Sequence, residues 1–147
     1  MVRLRLAPLH GDADRGAAAV EFALVSTLLV SLLLGIIAFG FALYQQQSAL
    51  HAAREGARLA AVGVSSCTIF QNEVAERGTG ADIPAGDVTL AYTDINGGGP
   101  GPGDSVTVTV PFEINLSIIG FLGFDSFDAS QKGTARVEQV GTVTACS

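Results

Sequence analysis

From Phe22 to Leu43 the chain runs for 22 residues without a charged side chain, FALVSTLLVSLLLGIIAFGFAL. Wound as a helix rising about 1.5 Å per residue, such a run crosses the ~30 Å hydrocarbon core of a bilayer. A secretory signal peptide has a shorter apolar region, and no convincing small-x-small cleavage site follows Leu43. The run therefore reads as a membrane helix. One ionisable residue, Glu21, stands at its leading edge, and five positions before it comes Gly16, preceded by Arg15. A carboxylate near hydrocarbon costs about 2 to 3 kcal/mol at full depth, less at the headgroups, so Glu21 needs a reason. Either it complements the positive end of the helix dipole, or it meets a cation from elsewhere.

Were the chain cut after Gly16, Ala17 would become the amino terminus, with Glu21 fifth and Phe22 sixth. This order resembles the processing site of type IV prepilins, whose membrane peptidase removes a short basic leader at a glycine and leaves glutamate at position five. Tight-adherence (Flp) pilins carry Glu-Tyr at positions five and six, and the Glu-Phe pair here resembles the TadE-like pseudopilins more narrowly. A second motif agrees with that family: Ala52, Ala53, Arg54, Glu55, Gly56, Ala57 and Arg58 follow the span. The resemblance is close over residues 15 to 62, and beyond them extends only to the general strand pattern. It implies a precursor cut by a prepilin peptidase, with Gly16, Ala17, Glu21 and Phe22 forming the cleavage site. It also implies that Glu21 faces the new amine of a neighbouring subunit, so that processing and assembly are linked through one charge pair. Arg54, Glu55, Gly56 and Arg58 would belong to an assembly surface. The implied partners are other Tad pilins and pseudopilins and the lipid of the bacterial inner membrane. In that setting the N-terminus is cytoplasmic and the C-terminal domain extracytoplasmic, with the pilus a further location.

The pattern divides the chain into a leader over residues 1–16, a long helix over 17–63 and a small domain over 64–147. In the leader Arg3, Arg5 and Arg15 supply positive charge, and Pro8 and Gly11 disfavour a helix. The helix crosses the membrane over 22–44 and continues outside it over 45–63, since no proline falls between Tyr44 and Val62 and Gly56 costs only about 1 kcal/mol relative to alanine. Ala49, Ala53, Ala57 and Ala61 form a small-residue stripe open to close approach by another helix or by a sheet. His51, Arg54, Glu55 and Arg58 share another face, and Gly63 is placed to stop the helix.

The remainder predicts an α+β domain, with a short helix and a small antiparallel sheet of three strands. Thr68 to Arg77 reads as the helix, with Phe70 and Val74 on one face and Gly78 at its end. Val88, Leu90 and Tyr92 alternate with polar or small residues, as do Val106, Val108, Val110 and Phe112, and a glycine-rich loop joins them into a hairpin. Pro111 lacks an amide donor and belongs on an edge or near a strand end. Ala129 to Val140 reads as the third strand. The apolar stretch from Ile114 to Phe127 either packs over the sheet or faces a partner or the bilayer.

The formal charge is −6, and removing the leader takes three positive and two negative charges away, leaving about −7. An acidic body argues against nucleic acid as a partner. Cys67 and Cys146 both follow the span, on what would be the oxidising side of the envelope. They either form a disulfide closing a loop of ~80 residues or remain two thiols. His10 and His51 have no acid or nucleophile beside them, and no Cys/His cluster suggests a metal. Asp94, Asn96 and Asp104 offer oxygen to calcium, but their spacing misses the EF-hand pattern. The glycine-rich loop lacks the Gly-Lys-Ser/Thr ending of a phosphate loop. The expectation is an assembly protein with no catalytic constellation and no cofactor. The rival reading is an uncleaved single-span protein whose outer domain binds a ligand or envelope partner. A major filament subunit is disfavoured, because the tight-adherence major pilins are much shorter.

Overall fold

The computed structural model describes residues 11–95, 97–123 and 126–147. Helix α1 spans Gly11–Ala61 and helix α2 Cys67–Arg77. Strands β1 (Thr89–Thr93), β2 (Ser105–Ile114), β3 (Phe127–Arg136) and β4 (Ala145–Cys146) complete an α+β architecture. The helix starts earlier than the sequence suggests, because Gly11 lies inside it and Pro8 falls outside the described residues. A glycine in the first turn weakens a helix without breaking it, and no proline between Gly11 and Ala61 removes a backbone donor. Internal contacts divide the chain into one unit ending at Ile37 and a second from Ala38 to Ser147.

In the first unit the apolar side chains of α1, among them Phe22, Leu24, Leu28, Leu32 and Ile36, are exposed. The polar groups among them are satisfied within the helix. Ser26 and Thr27 donate to the Ala23 carbonyl at 3.0 and 2.8 Å, and Ser31 donates to the Thr27 carbonyl at 2.9 Å. Hydroxyls bonded back to the preceding turn present no unpaired donor, as an apolar solvent requires. Among the described residues α1 is the one helix long and apolar enough to cross a membrane.

The second unit is built on a sheet of order β3-β2-β1-β4, antiparallel throughout. Four strands replace the expected three. A two-residue strand has no readable period, and β4 pairs with β1 at Leu90↔Cys146 and Ala91↔Ala145, beside the disulfide from Cys146 to Cys67. Alternation sends Val106, Val108, Val110 and Phe112 of β2, with Val88 and Leu90, into the core. Pro111 lies two residues beyond the end of the β1 ladder at Thr89↔Thr109 and pairs with Ser130 of β3. Of the apolar stretch after β2, Leu116 packs partly against the core while Phe127 is exposed.

Against this face lies the outer part of α1. Ala49, Ala52, Ala53, Ala57 and Ala60 are all buried, so the small-residue stripe meets the domain's own core. Gly56 is needed there: a Cβ on it would come 2.8 Å from Val74 Cγ2 and 3.2 Å from Val108 Cγ1. Across the sheet Gly133 lets β3 approach the α1 backbone, where a Cβ would overlap the carbonyl of Ala53 and the amide of Arg54. The end of α1 is capped by the sheet and its connections. The Ala61 carbonyl accepts from the amides of Glu138 and Gln139 at 2.8 and 3.0 Å, and the Ala60 carbonyl accepts from the Tyr92 hydroxyl at 3.0 Å. These groups satisfy carbonyls that a helix end leaves orphaned. Burial holds the Tyr92 phenol above its ordinary pKa of 10.0. Gly63, at φ 102°, then turns the chain away, as its position after the helix foretold.

Candidate functional site

Gly16, Ala17, Glu21 and Phe22 all lie in α1 and all are exposed, Phe22 to 73%. A Cβ at Gly16 would meet nothing within 4 Å, so among the described residues the glycine there answers no packing demand. Ala17 and Glu21 are four residues apart, one turn along the same helix face. Among the described residues Glu21 has no hydrogen bond or ion pair. Its carboxylate, exposed on α1, is thus available to a cation that no described residue brings to it.

The run from Ala52 to Arg58 divides in two. Ala52, Ala53, Gly56 and Ala57 are buried against the sheet and α2, whereas Arg54 and Arg58 are exposed. Glu55 lies between these faces and meets Arg58 at 3.4 Å and Arg77 at 4.0 Å, while Arg77 also holds Glu73 at 2.7 Å. Such surface pairs contribute under about 1 kcal/mol each, so this network orients side chains more than it stabilises. Arg77 belongs to α2 and no motif in the sequence pointed to it. Gly56 serves the internal packing of the domain, while the arginines of the run remain open to another molecule.

Cys67 and Cys146 are bonded, which decides the alternative left open by their count. The loop acids are also accounted for. Asp94 accepts from the amides of Gly97 and Gly99, both at 2.7 Å, and Asp104, 1% exposed, accepts from Ile95 at 3.1 Å and Gly101 at 2.8 Å. Their oxygens organise the glycine-rich loop, and Asn96 lies outside the described residues. A carboxylate at each end of a glycine-rich segment is the sequence signal for this clasp, equally readable as a ligand pair. Among the described residues no group of three or more His, Cys, Asp or Glu side chains is placed to hold a metal ion.

Comparison with curated proteins and with solved structures yields no match. The family model described as "TadE-like protein" matches residues 16–58. That stretch begins at the glycine before Ala17, contains Glu21 and the exposed apolar helix, and ends at Arg58. Over those residues, fewer than a third of the chain, it is similar to the TadE-like proteins.

Proposed function

We propose that this chain is a minor pilin or pseudopilin, made as a precursor, cut after Gly16 by a prepilin peptidase and used in assembling a Tad-type pilus. The observation that carries the reading is the spacing of Gly16, Ala17 and Glu21 at the head of an exposed apolar helix. Cleavage creates an ammonium at Ala17, four residues upstream of a carboxylate that has no ion pair among the described residues. In an array of parallel helices displaced along their axes, the amine of one subunit meets Glu21 of another. An ion pair out of water attracts strongly, and breaking it by removing one partner leaves the other charge uncompensated. The apolar side chains from Phe22 to Leu43 hold the subunit in lipid until helix packing in the assembly replaces that solvent. Arg54 and Arg58 offer a second, polar contact beyond the span, and the role is assembly rather than catalysis. The N-terminus is on the cytoplasmic side and the disulfide-bonded domain outside.

The test begins with the N-terminal residue of the protein recovered from its native envelope, which is expected to be Ala17. Gly16→Leu should leave a chain sixteen residues longer in the membrane, detected by intact mass. A wild-type protein that keeps those residues while pili form would refute the reading. Glu21→Ala should insert into the membrane normally yet lose co-purification with the other pilins by about tenfold or more, as expected when a desolvated charge pair loses one member. Undiminished co-purification would remove Glu21 from the mechanism.

A further inference from the structure

In the unit from Ala38 onward, α1 and β2 run side by side in opposite directions. At one end the Val137 amide donates to the Asp104 carbonyl, just before β2, and the next amide, of Glu138, to the Ala61 carbonyl. Midway Val108 packs at Gly56, and at the other end Glu113, Asn115 and Ser117 share a cavity of ≈ 370 Å³ with Phe41. Gly56 back to Phe41 is about 22 Å of helix and Val108 to Ile114 about 20 Å of strand, so both arrive at one level. The connection after β2 therefore begins beside Phe41, two residues before the uncharged run of α1 ends at Leu43. The two ends of the sheet differ in kind. The far one carries the acidic clasp of Asp94 and Asp104. The near one is a 3-10 turn, Ser117–Leu122, closed by Gly123, and its sequence SIIGFLG has no charge and four large apolar residues. Among the described residues nothing lies over it: Gly120 is exposed, a Cβ there would meet nothing within 4 Å, and Ile119 stays outside the core cluster that Leu116 joins. Phe127, paired with Ile114 where the chain re-enters the sheet, is 52% exposed.

We propose that the turn from Ser117 to Gly123 rests in the interfacial layer of the bilayer that α1 crosses, as a second membrane contact beside the span. The occupant follows from continuity. Phe41 and Leu43, 43% and 41% exposed, end the apolar run that lipid covers, and the turn opens from the cavity that Phe41 lines. A protein in that place would have to displace the lipid around Phe41. Carboxylates set the depth: Glu113 and Asp128 pair across β2 and β3, one position inside Ile114↔Phe127, and both are exposed. A carboxylate resists hydrocarbon, so entry stops at the strand ends and reaches about 5 to 10 Å below the surface. With Asp82 close to Glu113 across their bridge, these acids also repel anionic headgroups, so the attraction is apolar and needs no negatively charged lipid. The inference rests on the reading that Phe22 to Leu43 lie in lipid. It adds that the domain is held to the membrane at two points, so that entry into a filament must free the turn as well as the helix.

Added cysteines report the depth, because Cys67 and Cys146 are bonded to each other. Gly120→Cys, Gly98→Cys and Leu32→Cys are made separately in the full chain, labelled with a nitrobenzoxadiazole fluorophore and reconstituted into phosphatidylcholine vesicles, with the native disulfide intact in each. Gly98 is the matched control, exposed and with nothing within 4 Å of an added Cβ, but at the other end of the sheet. The Gly120 probe is expected to be quenched by nitroxides on the lipid chains, and iodide present on both faces should quench it about fivefold less than the Gly98 probe, as burial in the interface implies. Equal iodide quenching at the two positions would overturn the proposal. Protection from iodide without quenching by the lipid nitroxides would overturn it as well, since protein rather than lipid would then cover the turn. The Leu32 probe separates the two readings. If lipid quenches it and not the Gly120 probe, the span stands and the turn falls; if iodide reaches it freely, the span itself is wrong and the proposal goes with it.

Discussion

Replacing Cys146 with serine is expected to lower the unfolding free energy of the unit from Ala38 to Ser147 by about 4 kcal/mol, the chain-entropy value for a loop of this length. The bond joins residues 79 apart in sequence, so it removes a large fraction of the conformations open to the unfolded chain. It also holds β4, whose ladder to β1 has only two residue pairs, beside the start of α2. A small domain has roughly 5 to 15 kcal/mol of stability in total, so the loss is a large share of it. Urea unfolding of the full chain in detergent, followed by tyrosine absorbance or near-ultraviolet dichroism, measures the change. A loss below about 1 kcal/mol would mean that the β4 ladder and the Val64↔Val143 bridge hold the tail by themselves.

Gly133→Val is expected to cost about 3 kcal/mol or more and to shift the α1 contact, because the new side chain would occupy the place of the Ala53 and Arg54 backbone. Unlike a crowded side chain, a helix backbone has no rotamer into which it can retreat. Gly86→Ala is the matched control, since a Cβ there meets nothing within 4 Å, and it should change stability by less than about 0.5 kcal/mol. Thermal midpoints of the two variants decide the matter. Equal midpoints would show that β3 and α1 can separate without loss.

The features read most readily in the sequence were those repeated over many residues. The uncharged run from Phe22 to Leu43 and the alternation from Val106 to Phe112 each carry a period that averages out local exceptions. Cys67 and Cys146 were legible as a possible pair because there were two of them on the same side of the span. What escaped depends on single contacts. Gly56 looked like a small helical penalty, yet a Cβ there would force the Val74 side chain, 2.8 Å away, to shift. Gly133 sat in a strand with nothing to announce that a helix backbone lies against it. Asp94 and Asp104 have oxygens suited to calcium, and only their distances to loop amides show where those oxygens are engaged. Gln45 drew no reading from its place just past the span, and it is buried. At the candidate site, the Gly16 to Glu21 spacing was readable because a peptidase and a helix both count residues along the chain. The division of residues 52–58 into a packed face and an open one required the sheet to be in place.

The clasp made by Asp94 and Asp104 has a practical side. Because the two acids fix the loop from its ends, the stretch around Gly98, where added atoms meet nothing within 4 Å, is insulated from the strands it connects. Extra length at a loop tip adds little closure entropy. A short epitope or a dye grafted there would report on the subunit's whereabouts in living cells while leaving the sheet, the cystine and the head of α1 untouched.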